Sequence, residues 1–171
     1  MIFRKISIIV LCLLLISCSY RSQVPDEIYD DYIRQEFSSY TSGFISDDDI
    51  VSIGQGIIVE IDLDGADTSS LKEMIIYPIY LDDQLSYTFE VYQTDEGVGA
   101  AFPGSLTEGI QKLFKINNKH FVIFMVSNQF YGYSKGRIVD FRNGSIIKKE
   151  EFPYNIPEEN AYDPKIRILI N

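Results

Sequence analysis

Residues 120–151, HFVIFMVSNQFYGYSKGRIVDFRNGSIIKKEE, decide the fold class. His120 to Val126 is an unbroken run of strand-forming apolar residues, entered through a turn at Asn117-Asn118. Tyr131 to Phe141 is a further strand candidate, weakened by Gly132 and Gly136. Asn143-Gly144 is the strongest hairpin signal in the chain, because both residues tolerate the positive φ of a two-residue type I′ turn. It pairs Arg137–Phe141 with Ser145–Glu151.

Strand signals continue upstream. Ile57, Val59, Ile61 and Leu63 alternate, and Met74 to Leu81 is apolar and aromatic. Pro78 has no N–H for a ladder and marks that segment as an edge strand or a bulge. Tyr87, Phe89 and Val91 alternate before the turn Thr94-Asp95-Glu96-Gly97. Two helices are expected. Ser105-Leu106-Thr107-Glu108 is a capping box followed by Ile110, Leu113 and Phe114 at helical spacing. Ile28, Tyr29, Tyr32, Ile33 and Phe37 recur in the same way behind Asp26. Pro153, Pro157 and Pro164 break up the tail, and Lys165 to Ile170 returns as a last strand. About seven short strands and two short helices make residues 28–171 one mostly β or α+β domain with an antiparallel sheet.

The N-terminus has a different grammar. Arg4 and Lys5 precede an apolar run from Ile6 to Ile16, too short for the roughly 20 residues that span a bilayer and suited to a signal peptide over residues 1–17. The run ends in Leu15-Ile16-Ser17-Cys18, which resembles the lipobox of bacterial lipoproteins. That resemblance implies acylation of the Cys18 thiol, cleavage just before it, and a lipid anchor in the membrane. In that family the residue after the Cys directs sorting. Ser19 points to the outer membrane facing the periplasm, or to the outer face of the plasma membrane where there is one membrane. Residues 18–27 form a short polar tether behind the lipidated Cys.

The whole chain has 171 residues, 15 basic and 25 acidic, with a net charge of −10. Removing residues 1–17 takes Arg4 and Lys5 and no acid, leaving 154 residues with 13 basic and 25 acidic side chains, net −12. An acidic balance argues against nucleic acid, whose phosphates need Lys and Arg. Two Cys and one His leave no ordinary zinc site. With Cys18 acylated, no pair of cysteines remains to form a disulfide in the mature chain.

Catalytic residue types are sparse. His120 is the one imidazole, no nucleophile elbow accompanies it, and a strand-end surface histidine explains it. No catalytic residue is assigned. Asp62, Asp64 and Asp67 lie in the turn DLDGAD and offer the oxygen ligands Ca²⁺ prefers, the alternative being a solvated turn. The loop resembles the Asp-x-Asp-Gly loops of FG-GAP/VCBS-like segments, departing from them at Ala66, Asp67 and Ser69-Ser70. Gln129, Phe130, Tyr131 and Tyr133 combine aromatic and amide groups in the manner of protein-binding surfaces, with ordinary packing as the alternative.

The expectation is a non-enzymatic, lipid-anchored protein-binding module whose acidity meets a cationic protein partner. In type it is similar to small lipoprotein inhibitors of cell-wall hydrolases and to immunity lipoproteins that block delivered toxins. The alternative is a structural or accessory envelope lipoprotein, stabilised by Ca²⁺ through the Asp62 loop.

Overall fold

A computed structural model describes residues 51–61, 71–101, 104–164 and 166–170. All of them fall in the second of the two units into which the chain divides, Ser42–Asn171. The signal peptide, Cys18, the tether, the helix expected at 28–37 and the Asp62 loop lie outside the described residues.

Eleven strands and one α-helix are described: β1 Val51–Gly54, β2 Ile57–Ile61, β3 Leu71–Leu81, β4 Gln84–Thr94, β5 Gly97–Ala101, α1 Gly104–Ile116, β6 His120–Val126, β7 Gln129–Ser134, β8 Arg137–Asp140, β9 Ile146–Lys148, β10 Asn160–Ala161 and β11 Ile166–Ile170. They form one mixed sheet, larger than the seven strands expected. Most pairs are antiparallel, but β2 and β6 run parallel, with Val59 opposite Ile123 and Ile61 opposite Met125.

The short turns explain the extra strands. Asp82-Asp83, Ser127-Asn128 and Lys135-Gly136 all have positive φ at both positions, the pattern of two-residue type I′ turns. They close the β3–β4, β6–β7 and β7–β8 hairpins. Tyr131 to Phe141 is therefore two strands and not one, folded back at Lys135-Gly136. The Asn143-Gly144 hairpin exists, but with a longer loop than a type I′ turn. Val139 pairs with Ile146, and the Gly144 N–H donates to the Asp140 carbonyl at 2.7 Å. Gly144 has φ +67, whereas Asn143 is not among the positive-φ residues.

Pro78 lies inside the sheet and not at its edge. β3 pairs with β4 along one side and with β1 and β2, end to end, along the other. Ile53 faces Ile79 and Ile57 faces Ile76, so four residues of one side span three of the other. Pro78 sits at this slip, where no ladder N–H is demanded of it.

The break between β1 and β2 is plugged from the C-terminal segment. The Tyr162 hydroxyl donates to the Gln55 carbonyl at 3.0 Å, and its N–H donates to the Lys119 carbonyl at 2.7 Å. Its ring packs on Phe114 and Phe121, at 5.7 and 5.2 Å between centroids. Burial pushes the Tyr162 hydroxyl well above its ordinary value, so it remains a donor at any physiological pH. Tyr162→Phe should lose about 1 kcal/mol in chemical denaturation, the net worth of one hydrogen bond whose acceptor is left behind.

Helix α1 covers one side of the sheet. Leu106, Ile110 and Leu113 share one face of the helix and are all buried against Ile76, Ile123, Val139 and Phe141. On the opposite side, Tyr131 stacks on Phe124 with centroids 5.7 Å apart and meets the Phe152 ring edge-on at 4.9 Å. Phe152 belongs to the segment after β9, which lies over that side together with Ile156. β6 is buried on both faces after His120, which is why its sequence is continuously apolar and does not alternate.

Candidate functional site

The residues singled out from sequence are placed as follows. His120 is exposed at the start of β6, and its carbonyl accepts the Ser134 hydroxyl at 2.6 Å. Tyr131 is 9% exposed and committed to the aromatic stack described above. Gln129 and Tyr133 are half-buried on the same side: Gln129 Nε2 donates to Asp140 Oδ1 at 2.8 Å, and the Lys149 ammonium lies 5.4 Å from the Tyr133 ring centroid. Phe130, also half-buried, packs into the core on the helix side. The four residues therefore belong to both sides of β7 and do not form one surface. Cys18, Asp62, Asp64 and Asp67 lie outside the described residues.

Charge is the property that the fold organises most clearly. Residues 111–171 carry 10 of the 15 basic side chains and 6 of the 25 acidic ones, so that stretch is net +4 and the preceding 110 residues are net −14. This division was available in the sequence and is hidden by the overall total. It produces two opposite features among the described residues.

The first is acidic. Asp82 and Asp83 form the exposed tip of the β3–β4 hairpin, whose strands are 11 residues each. Both have positive φ, 49° and 63°, a conformation that Asn-Gly adopts more easily. Two adjacent carboxylates at such a position strain the backbone and repel each other. Tyr87, 39% exposed, stands further along β4.

The second is basic. A cleft of about 600 Å³ opens between the end of α1, the β7–β8 turn and the β8–β9 loop, lined by Lys112, Lys115, Ile116, Lys135, Arg137, Gly144 and Ile146. Lys112 is structural: it pairs with Glu108 at 2.7 Å and donates to the Gly144 carbonyl at 3.1 Å, tying the helix to the loop. A side chain at Gly144 would collide with the Lys112 ammonium, and its φ of +67 also favours glycine. Lys115, Lys135 and Arg137 make no ion pair among the described residues. Lys148 lies directly opposite Arg137 in the β8–β9 ladder, a like-charged cross-strand pair.

One buried acid stands apart from both features. Glu90 is 6% exposed on the side of β4 that α1 covers, beside Thr88, whose hydroxyl lies 3.3 Å from that of Thr107. Its Oε1 has no hydrogen-bond partner among the described residues, and burial raises its pKa to about 7. No metal-holding group of His, Cys, Asp and Glu occurs among the described residues, and none of their helices is long and apolar enough to cross a membrane. Comparison of the chain with known protein families, with characterised proteins and with solved structures finds no match in any of the three.

Proposed function

We propose that this chain is a lipid-anchored, non-enzymatic binding module of the bacterial envelope that captures and inhibits a cationic protein, a basic cell-wall hydrolase or a delivered toxin. The lipobox at Leu15-Ile16-Ser17-Cys18 supports the anchor, and Ser19 supports an outer-membrane position facing the periplasm. The observation that carries the binding role is the Asp82-Asp83 tip, where acids stand in place of the residues that would make the turn most stable. A carboxylate pair at the end of a long hairpin, with the exposed Tyr87 opposite Ile79 further along it, offers a cationic surface both charge and an aromatic contact. The net −14 of the first 110 residues adds long-range steering, which raises the rate of encounter with a basic protein.

Stability and binding should then respond in opposite directions to one variant. Asp82→Asn/Asp83→Gly should raise stability by about 1 kcal/mol, as turn optimisation commonly does. The same variant should weaken capture of the partner by about tenfold, the loss of one to two charge-assisted contacts. Thermal melts measure the first effect. Retention of basic hydrolases or effectors at low salt by the immobilised full chain, followed by assay of the retained enzyme's activity, measures the second. Retention of no basic hydrolase or effector, or equal retention by the variant, would defeat the proposal.

A further inference from the structure

The basic cleft is opposite in sign to the chain as a whole, and the acidic-tip reading gives it no role. Three cations that line it have no carboxylate partner among the described residues, and Lys148 adds a fourth through its place opposite Arg137. Two carboxylates lie nearby: Glu108 holds Lys112, and Glu159 accepts the Lys135 backbone N–H at 3.1 Å. A chain with 25 acidic residues had ample means to neutralise this site. Like charges directly opposite in a ladder destabilise it, so Arg137 and Lys148 are kept together at a cost in stability. Such a cost is the usual mark of a group held for binding.

We infer that the cleft binds a compact organic phosphate carrying at least two negative charges. Lysine ammonium groups converge on phosphate as point charges, and the Arg137 guanidinium can take two phosphate oxygens at once. Ile116 is half-buried and Ile146 is 55% exposed, so the same cleft has an apolar wall for the carbon part of the ligand. A volume of about 600 Å³ suits a small molecule and is too small for a folded partner. The chemistry is shared by soluble phosphate esters and by the head groups of doubly charged phospholipids, and the test separates these sources.

Pyrophosphate is the soluble probe, titrated calorimetrically into the full chain in a non-ionic detergent. It should bind at one saturable site. Lys115→Glu/Arg137→Glu should weaken that site by about a hundredfold, roughly tenfold for each charge-assisted contact removed. Lys72→Glu/Lys149→Glu changes the net charge equally at two side chains that do not line the cleft, that of Lys149 lying over Tyr133, and should leave affinity within about twofold. Lys115 and Arg137 are both exposed, and the reversal at 137 places an acid opposite Lys148. Lys115 is the basic residue of α1's last turn, so its reversal is unfavourable against the helix dipole, which the acid introduced opposite Lys148 offsets. The cleft variant should therefore melt within a few degrees of the wild type, which separates lost binding from lost folding. Displacement of pyrophosphate by mixed micelles containing cardiolipin, whose head group carries two phosphates, and not by phosphatidylcholine micelles, assigns the site to lipid head groups. Absence of displacement assigns it to soluble phosphates. No saturable pyrophosphate binding, or equal weakening by the two double variants, overturns the inference.

Discussion

Leu113→Ala should cost about 3–5 kcal/mol in urea denaturation, and Gly132→Ala should cost less in that background than it does alone. Leu113 is fully buried on α1 and lies over β7 where that strand has no side chain. A Cβ on Gly132 would stand 2.7 Å from Leu113 Cδ2 and 2.9 Å from Phe141 Cε1, closer than carbon atoms pack. The glycine is what allows the helix to approach the sheet. Gly132→Ala alone should therefore cost about 1–3 kcal/mol through overpacking. In the double variant the added methyl enters space vacated by the leucine, so the two costs should fall short of adding by about 1–2 kcal/mol. Strictly additive costs would mean that Leu113 and Gly132 do not share this contact.

The same seam shows how far the fold was legible in the sequence. Helix α1 was readable because Leu106, Ile110 and Leu113 recur at the helical period and all meet one surface. The hairpins were harder. Three type I′ turns are made by Asp-Asp, Ser-Asn and Lys-Gly, none of which advertises itself as Asn-Gly does. Asn143-Gly144 does advertise itself, but it forms a longer turn than type I′. The Asp140 carboxylate accepts the Arg142 N–H at 2.9 Å, the Asp140 carbonyl accepts the Gly144 N–H at 2.7 Å, and Asn143 Oδ1 accepts the Ser145 N–H at 2.8 Å. These local bonds of Asp140 and Asn143 set the loop length, with only Gly144 at positive φ. The parallel pairing of β2 with β6 is invisible locally, because it joins strands separated by about sixty residues of chain.

Candidate sites were legible to different degrees. The acidic turn at Asp82-Asp83 is plain in the sequence, but its strained conformation is a property of the hairpin. The basic cleft needs both the uneven division of charge along the chain and the packing that brings residues 112–116 beside residues 135–146. Gln129, Phe130, Tyr131 and Tyr133 look continuous in the sequence, but β-strand alternation sends Phe130 to one side of the sheet and the others to its opposite side. Glu90 is the counterpart of that effect. Between Phe89 and Val91 it occupies the position that alternation assigns to solvent, and α1 covers that side of the sheet.

Glu90 should make the protein less stable as the medium becomes more alkaline. Its carboxyl is raised from the ordinary 4.5 to about 7 because burial penalises the charged form. Between these two values the folded protein holds a proton that the unfolded chain releases, so stability falls as pH rises through this window and levels off above it. The full effect is about 3 kcal/mol between pH 4.5 and pH 8. Glu108 moves the other way, lowered first by its hydrogen bond to Lys112 and then by that ammonium's charge. It is fully exposed and acts at more acidic pH, outside this window. Glu90→Gln removes the titrating group while keeping its size. The variant should match the wild type near pH 5 and exceed it by about 3 kcal/mol at pH 8, as read from urea midpoints at the two pH values. Parallel pH profiles for the two proteins would show that the carboxyl is not the source of the slope. The expected divergence would instead make Glu90 a buried acid that loosens the contact between α1 and β4 as it ionises near neutral pH.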